Sequence, residues 1–264
     1  MERFTMTDKP VRFAIVGLGM GRVRAKDCMQ TPGAELALLC DTDPQRLARS
    51  TAEFQVPGTP SFDEVLKRDD VEAVLIETWY RDDPYYEGWH GTWKMDGGGS
   101  LMNQTVHLID QLQWYGGAVE QVVGRMKVYT HKIETEDLGL ALVDFKNGAK
   151  GVIVGTTTFP ESRTYDMEIH GSKFAAAWGS VNGQYCKSLP AGTELPPRPA
   201  EAPRNIFEDV IGALRHGRKV MVDGREGRKS VELILAVYKS AVTGKPVKLP
   251  LKSFTPPVST TAGR

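Results

Sequence analysis

A histidine in the middle of the chain has the side-chain chemistry and the setting of a proton-transfer group. His107 lies four residues after Asn103 in SLMNQTVHLIDQLQWYGG, residues 100–117, whose apolar spacing and closing glycine pair predict one amphipathic helix. Side chains at this spacing share a helix face. A neutral imidazole is a suitable base near neutral pH. The glycines in the run 96–99 would let the backbone approach a ligand closely, which favours a ligand-facing histidine over one packed in the core.

The loop before this helix is crowded with aromatic side chains. Tyr85, Tyr86, Trp89, His90 and Trp93 fall in one short stretch. Aromatic faces suit the apolar patch of a sugar, and their polar tips suit its rim of hydroxyls. We therefore predict that Tyr86, Trp89, His90 and Trp93 contact a sugar or polyol. The alternative is a loop that packs a seam between domains.

Acidic residues open a strand further along the chain. Glu136 or Asp137 near His107 would orient its imidazole, and Asp137 is included among the predicted substrate-site residues. Histidines and carboxylates are also metal ligands. However, His90, His107 and His131 lack the helical or hairpin spacing of a zinc site, so no metal is expected.

The segment GLGMGR, residues 17–22, resembles a dinucleotide-binding turn. Gly17 allows a tight turn, and Gly19 lets the backbone approach a pyrophosphate at a helix N-terminus. The third fingerprint position is Arg22 instead of glycine or alanine. Asp41 ends the next strand, where a carboxylate accepts hydrogen bonds from a ribose and repels a 2′-phosphate, which favours NAD over NADP. The alternative is a glycine turn that serves packing alone.

The overall composition excludes several classes of protein. The chain has 264 residues, and Lys+Arg equals Asp+Glu at 33 each, which argues against a bulk attraction to nucleic acid or acidic lipid. No apolar run has the length of a membrane span, and the N-terminus lacks a signal-peptide pattern. Cys28, Cys40 and Cys186 are far apart and odd in number, as expected of thiols in a reducing cytosol. We expect a cytoplasmic protein.

The pattern of elements predicts two domains. Residues 1–78 alternate between apolar strands and helices, which indicates a parallel α/β sheet. Residues 79–264 carry a helix, an antiparallel sheet of about five strands and closing helices at 205–219 and 224–245. The predicted fold class is α/β plus α+β: a Rossmann-like unit followed by an open antiparallel sheet with flanking helices.

Four parts of the chain together resemble one family, the Gfo/Idh/MocA family of NAD(P)-dependent sugar and polyol oxidoreductases. The resemblance covers roughly residues 11–251. It is carried by AIVGLGMGR with CDTDPQRL, YYEGWHGTWKMDGGGSLMNQTVHLIDQLQW, ETEDLGLALVDFKNGAKGVIVGTTT and DGREGRKSVELILAVYKSAVTGKPVKLPL. It implies a cofactor unit followed by a substrate domain. It also implies that His107 moves a proton on or off a sugar hydroxyl, with Asn103 standing where the family has aspartate.

One large departure from the family lies in LIETWYRDDPYYEGW, residues 75–89. In the family, the strand that VEAVLIET resembles is followed by further strand–helix units, which carry a Glu-Lys-Pro motif with a catalytic lysine. Here residues that resemble the second domain follow at once. No Glu-Lys-Pro occurs, and Lys245-Pro246 belongs to the tail. We predict a truncated Rossmann-like unit in which NAD binding is residual or lost.

Three functions are compatible with this pattern. The first is a family-type NAD-dependent oxidoreductase whose missing half comes from an oligomeric partner or a rearrangement. The second is a sugar lyase, epimerase or hydrolase that uses His107 as acid and base without redox. The third is a non-catalytic relative that binds a sugar or assembles with full-length homologues. We favour a pseudo-oxidoreductase with impaired or lost hydride transfer, because the lysine and the nicotinamide platform are both missing.

The predicted sheet also indicates self-association. Val, Leu, Phe and Ile alternate along its expected outer face, and an exposed apolar sheet face usually has a partner. We expect a homodimer or tetramer formed through this sheet. The expected ligand is a small sugar or polyol, and neither nucleic acid nor a membrane is an expected partner.

Overall fold

The computed structural model describes residues 9–19, 21–66, 73–76, 83–158, 165–172, 175–181, 184–188, 199 and 202–256. The chain divides into two compact units. The first comprises Met1–Trp79 and Pro197–Asp223, and the second comprises Tyr80–Pro196 and Gly224–Arg264. No helix within the described ranges is long and apolar enough to cross a membrane.

A parallel sheet organises the first unit, as predicted. Strand β1 (Val11–Val16) pairs with β2 (Ala34–Cys40) on one side and with β4 (Ala73–Ile76) on the other. The short strand β3 (Gly58–Thr59) extends the sheet beyond β2, which gives the order β3-β2-β1-β4. Near-continuous apolar residues in β1 and β2 are buried, as expected of a sheet covered on both faces.

Three helices follow these strands: α1 (Gly21–Gln30), α2 (Pro44–Phe54) and α3 (Phe62–Leu66). The start of α2 is set by residues at its own N-terminus. Asp43 is extended at the N-cap, its carboxylate accepts hydrogen bonds from the N–H groups of Gln45 and Arg46, and a proline opens the helix. This cap fixes the point at which the chain leaves β2, close to Asp41.

The first unit is completed by a helix from far along the chain. Helix α6 (Ile206–His216) buries Phe207 and Ile211 in the same core as β1, and the ring of Phe207 meets that of Phe13 edge-on at 4.9 Å. The sequence pattern placed this helix in the predicted second domain, but its apolar side chains pack in the first unit. The predicted boundary between residues 78 and 79 lies outside the described residues and stays a prediction.

The second unit contains the strands β5 (Val119–Lys127), β6 (Leu138–Phe145), β7 (Lys150–Thr156), β8 (Tyr165–His170), β9 (Ala175–Val181), β10 (Gln184–Ser188) and β11 (Val247–Lys248). Pairing is antiparallel throughout, as predicted. The described strands form two sheets, with orders β11-β5-β6-β7 and β10-β9-β8, instead of one sheet of about five strands.

The helix predicted over residues 100–117 is interrupted. It consists of α4 (Ser100–Asn103) and α5 (Val106–Gly116), because the N–H and the hydroxyl of Thr105 both donate to the carbonyl oxygen of Ser100, at 3.0 and 2.9 Å. The prediction that Asn103 and His107 lie on one helix is therefore wrong.

The larger sheet of the second unit has one buried and one open face. Helix α7 (Gly224–Thr243) packs on the buried face, where a Cβ at Gly124 would lie 2.5 Å from the carbonyl oxygen of Val237. Phe145 and Ile153 also point to this side and are buried, so the predicted outer position of Phe and Ile is wrong. The open face carries Leu and Val: Leu140, Leu142, Val152 and Val154 are all exposed.

Candidate functional site

The glycine turn after β1 has the backbone geometry of a nucleotide-binding turn. Gly17 has a φ of 84°, a conformation that suits glycine. A Cβ at Gly19 would meet nothing within 4 Å, so the space beside this residue is open. A Cβ at Gly21 would lie 2.9 Å from Cγ2 of Ile15, so Gly21 allows the close packing of α1 on β1. Sequence reasoning assigned the third fingerprint position to Arg22 and missed Gly21, because the spacing is one residue shorter than the usual fingerprint.

Asp41 is buried at the end of β2, and its carboxylate is tied to the turn. Oδ2 accepts a hydrogen bond from the N–H of Leu18 at 2.7 Å, and Oδ1 accepts one from the N–H of Asp43 at 2.8 Å. The guanidinium of Arg46 donates to both oxygens, at 3.1 and 3.3 Å. Burial acts to raise the pKa of Asp41, but the hydrogen bonds from Arg46 and the backbone outweigh it and lower that pKa.

Arg22, a predicted cofactor-binding residue, is paired with a carboxylate of α2. Its guanidinium forms a two-pronged ion pair with Glu53 of α2, with Nη2 3.0 Å from Oε1, and so joins α1 to α2. The remaining predicted nucleotide residues, Gly17, Gly19 and Asp41, lie together around the turn. An open space at Gly19 and a buried carboxylate at the ribose position fit the adenosine half of NAD.

The aromatic loop of the second unit surrounds His90. Its imidazole stacks on the ring of Tyr85, with centroids 3.5 Å apart and an interplanar angle of 20°. The indole of Trp89 covers it at 3.6 Å and is itself 46% exposed. Nδ1 of His90 lies 3.8 Å from Oδ2 of Asp96. Tyr85, His90 and Trp89 thus form one continuous aromatic surface with an accessible outer ring and a carboxylate behind it.

Asp96 organises this loop, although sequence reasoning did not single it out. Its Oδ2 accepts a hydrogen bond from the N–H of Gly91, and its Oδ1 accepts one from Nδ2 of Asn103, both at 2.8 Å. Asn103 is therefore bound to the aromatic loop. His107 is exposed on the first turn of α5, and no hydrogen bond of the described residues joins it to Asn103.

Tyr86 and His131 form a second histidine-centred contact beside the first. The hydroxyl of Tyr86 and that of Thr157 are 3.2 Å apart, and the ring of Tyr86 lies 4.7 Å from that of His131. Burial raises the pKa of Tyr86. Nδ1 of His131 lies 3.3 Å from Oδ2 of Asp137. His131 was considered only as a metal ligand at the sequence level, yet it is the imidazole that Asp137 contacts.

Asp137 stabilises a backbone turn and is not bonded to His107 within the described residues. Its carboxylate accepts hydrogen bonds from the N–H groups of Tyr129, Thr130 and His131, at 2.8, 2.8 and 3.1 Å. Burial acts to raise the pKa of Asp137, but these N–H groups outweigh it and lower that pKa. Asp137, a predicted substrate residue, therefore fixes the turn that carries His131.

The glycine run before α4 approaches the protein core and not a ligand. A Cβ at Gly98 would lie 2.3 Å from the hydroxyl of Tyr238, and one at Gly99 would lie 1.8 Å from the carbonyl oxygen of Glu136. The sequence-level argument that these glycines expose backbone to a ligand near His107 is wrong, because the close approach is to Tyr238 and Glu136. Gly97 alone, with a φ of 75° and open space around it, faces no such neighbour.

Trp93 also belongs to this core. Its side chain is buried, its ring meets that of Tyr238 edge-on at 5.2 Å, and it packs in the main cluster of the second unit. Of the four aromatic-loop residues predicted to contact substrate, the structure brings Tyr86, Trp89 and His90 together and buries Trp93. Among the described residues, no three His, Cys, Asp or Glu side chains are grouped so that they could hold a metal ion.

Sequence comparison agrees with this arrangement of a nucleotide-type turn and an aromatic second unit. The oxidoreductase family with an NAD-binding Rossmann fold matches residues 11–89, and the GFO/IDH/MocA C-terminal domain matches residues 71–177. The chain belongs to the GFO/IDH/MocA family. The two matches overlap over residues 71–89, which include the predicted deletion junction; residues 77–82 of that junction lie outside the described part of the chain.

Individual members of the GFO/IDH/MocA family are similar at lower identity. D-Apiose dehydrogenase of Rhizobium rhizogenes is 25% identical over an alignment of 172 residues, and the match covers 54% of this chain and 47% of that protein. The chain thus matches about half the length of this curated relative.

Solved structures of the family share the fold. The WlbA dehydrogenase from Bordetella pertussis, in complex with NADH and UDP-GlcNAcA, has a TM-score of 0.77 at 22% identity, covering 94% of this chain and 100% of that one. Aldose-aldose oxidoreductase from Caulobacter crescentus, complexed with glycerol, has a TM-score of 0.73 at 17% identity, covering 91% and 100%.

Proposed function

We propose that the chain is a sugar- or polyol-binding member of the GFO/IDH/MocA family that keeps nucleotide recognition and has impaired or lost NAD-dependent hydride transfer. The observation that carries the proposal is a mismatch within one chain. The turn at Gly17–Gly19 and the buried Asp41 remain, whereas the Glu-Lys-Pro motif is absent from the sequence. Positioning and acid–base catalysis each contribute orders of magnitude to a rate, so losing the lysine removes a principal part of the machinery.

The first unit would hold the adenosine half of NAD. The open space beside Gly19 would admit the pyrophosphate, and Asp41 would accept hydrogen bonds from the ribose. Bound NAD would supply a hydride acceptor. The sequence lacks the family's lysine for the substrate hydroxyl.

The aromatic loop would bind the sugar or polyol. Trp89 is exposed enough to stack on an apolar sugar face, and it packs on His90, whose Nδ1 lies 3.8 Å from the carboxylate of Asp96. Two of the similar proteins support this ligand class, because one is a D-apiose dehydrogenase and the other an aldose-aldose oxidoreductase.

A second candidate is a sugar lyase, epimerase or hydrolase that works by proton transfer without redox. It is favoured by the imidazole of His107, which is exposed, and by that of His90, which lies 3.8 Å from the carboxylate of Asp96. Replacing His107 by alanine separates this candidate from a binding-only protein. Turnover that is unchanged in the variant for every candidate sugar would refute a His107 mechanism, whereas a fall of about 10²-fold or more would support it.

We also propose that the chain forms a homodimer or tetramer through the open face of its larger sheet. Leu142 pairs with Val152 and Leu140 with Val154 on adjacent strands, so four exposed apolar side chains form one patch. A charged pair, Lys150 with Asp144 at 2.7 Å, borders it. Such a patch can pack on its own copy across a two-fold axis, because each side presents the same apolar surface.

Native mass spectrometry of the purified chain, with and without NAD, tests the proposal. An oligomer with a stoichiometric NAD adduct, together with no NADH formation over a panel of sugars and polyols, is the expected result. NADH formation at an ordinary enzymatic rate would overturn the loss of hydride transfer. An oligomer that stays free of nucleotide at millimolar NAD would overturn the retention of nucleotide recognition.

A further inference from the structure

The buried carboxylate of Asp96 attaches the aromatic loop to the end of α4. Its Oδ2 accepts a hydrogen bond from the N–H of Gly91, and its Oδ1 accepts one from Nδ2 of Asn103, both at 2.8 Å. Nδ1 of His90 lies 3.8 Å from Oδ2, and the side chain of Asp96 is only 4% exposed. Its backbone is also held, because its N–H donates to the carbonyl oxygen of Thr92 at 3.0 Å. Asp96 is therefore a fixed partner for Asn103.

This contact decides which end of the Asn103 amide is left for a ligand. An ionised carboxylate has acceptors and no donor, so it binds the amide nitrogen, and the amide oxygen Oδ1 lies on the other side of the group. Asn103 is half-buried, and no donor of the described residues is bonded to its Oδ1. A Cβ at Gly97, the residue after Asp96, would meet nothing within 4 Å, so there is open space beside the pair. Asn103 thus presents a hydrogen-bond acceptor.

The charge of Asp96 strengthens this acceptor. A hydrogen bond from an amide to a carboxylate is charge-assisted, and it polarises the amide so that its oxygen accepts more strongly. No lysine or arginine within the described ranges forms an ion pair with Asp96. The amide oxygen is therefore suited to a hydroxyl group, which can donate. It is unsuited to a carboxylate, which has no proton to donate and repels the charge of Asp96.

We propose that Asp96 is a positioning residue that presents the amide oxygen of Asn103 to the ligand, so that this point of the site accepts a hydrogen bond from a hydroxyl and disfavours a carboxylate. The inference deepens the proposed function, because it rests on the binding of a sugar or polyol at the aromatic loop. It gives the chain a preference for neutral sugars over sugar acids of about tenfold or more.

Asp96→Asn is expected to reverse the polarity that Asn103 presents. The one oxygen of the introduced amide can keep the N–H of Gly91, and its nitrogen then faces Asn103. Asn103 has to turn its own oxygen towards that nitrogen and present its NH₂ group, which is a donor. The negative charge is lost as well. The ratio of the affinities for neutral sugars and sugar acids should therefore fall by about tenfold or more.

Tryptophan fluorescence and calorimetry of the full chain measure these affinities. The neutral probes are D-glucose, D-xylose and D-glucitol, and the acidic probes are D-glucuronate, D-xylonate and D-gluconate. Glu87→Gln is the matched control, because it removes a carboxylate from an exposed position in the same loop without touching Asn103. It should change the ratio of the affinities by less than about twofold.

Nuclear magnetic resonance tests the orientation of the amide without a ligand. The side-chain NH₂ signal of Asn103 can be assigned by its loss in Asn103→Leu. Because one of its protons is bonded to a buried carboxylate, this signal should exchange slowly with solvent in the native chain and in E87Q. It should exchange faster in D96N, where the NH₂ group faces the open side. Equal exchange in D96N and the native chain would contradict the proposed role of Asp96.

The binding results that would overturn the inference differ in what else they remove. If D96N and E87Q change the ratio equally, or if the native chain binds sugar acids as tightly as neutral sugars, the role of Asp96 fails while sugar binding stands. If no probe binds the native chain at millimolar concentration, this role and the proposed binding of a sugar or polyol fail together.

Should D96N not fold, as judged by circular dichroism, Asn103→Leu replaces it in the binding measurements. This variant removes the acceptor and leaves Asp96 in place. It should weaken the binding of neutral sugars by about tenfold and leave that of sugar acids unchanged. Equal weakening of both classes would overturn the inference.

Discussion

The hydroxyl of Tyr238 donates a hydrogen bond of 2.9 Å to the carboxylate of Glu136, and both side chains are fully buried. The same carboxylate accepts the N–H groups of Gly99 at 3.0 Å and Leu101 at 2.8 Å. Burial raises the pKa of Glu136 and raises that of Tyr238 well above its ordinary value. Glu136 thereby fixes the start of α4, the helix that ends at Asn103, and so connects the core of the second unit to the aromatic loop.

Glu136→Gln is expected to destabilise the chain by about 1–3 kcal/mol, because an amide nitrogen would face N–H or O–H donors that now have an acceptor. Tyr238→Phe should cost about 0.5–1.5 kcal/mol. Urea unfolding of both variants and of the double variant measures their coupling. Glu120→Gln, on the exposed side of β5, is the matched control and should change stability by less than about 0.5 kcal/mol. Strict additivity of the two core changes would contradict the shared hydrogen bond.

Gly19→Ala and Gly21→Ala should separate a binding role from a packing role within one turn. Because a Cβ at Gly19 meets nothing, the first variant should have the same unfolding temperature as the native chain. It should lose nucleotide affinity by about tenfold or more. The second places a methyl group against Ile15 and should lower stability by about 1–3 kcal/mol. Thermal unfolding and NADH titration distinguish them. A native-like nucleotide affinity in G19A would contradict a role of this turn in nucleotide binding.

Asp137→Asn should weaken the fold in a pH-dependent way. The folded-state pKa of Asp137 is lowered below its ordinary value of 3.8, so its contribution to stability is present above that pH and is lost as the pH falls through the folded value. The variant should be about 1–3 kcal/mol less stable at pH 7, because the N–H groups of Tyr129, Thr130 and His131 lose a charged acceptor. Urea unfolding between pH 7 and the acid limit should show the two proteins converging below pH 3.8. A difference that stays constant over this range would contradict the assignment.

Leu142→Glu should dissociate the proposed oligomer. A carboxylate at the centre of the open sheet face would be buried against its own copy, where an unpaired charge is costly. Light scattering after gel filtration should change from the oligomeric to the monomeric mass. Leu214→Glu on α6 is the matched control, since Leu214 is 53% exposed and lies outside this sheet. A native mass for L142E would exclude the face as the interface.

The sequence predicted the classes of element well because their signals are local. The Asp43 cap, the glycine turn and the apolar strands each follow from neighbouring residues, and the parallel and antiparallel sheets were both recovered. The break at Thr105 was missed, because it depends on a second hydrogen bond to Ser100 that no periodicity reveals. The placement of α6 was missed because its partner, Phe13, is far away in the sequence.

The sequence indicated several residues of the candidate site, but it did not indicate which of them contact one another. Trp89 and His90 were recognised from residue type, whereas Asp96, which holds the loop together, looked like an ordinary acidic residue before a glycine run. His131 contacts Asp137 across a turn whose backbone conformation had no sequence signature. Arg46 is five residues from Asp41, a spacing that becomes meaningful only when the strand end and the first turn of α2 are placed together.

The position of α6 in the first unit has a consequence for synthesis. Phe13 is buried against Phe207, so the core of the first unit is not covered by α6 until the ribosome has made residues 206–216. Domains commonly fold N-terminal first as they emerge. Here the apolar side of the N-terminal sheet that α6 covers stays exposed while the intervening chain is translated. The nascent first unit is therefore a natural client for chaperones, and this unit can be complete only after residues 206–216 have been made.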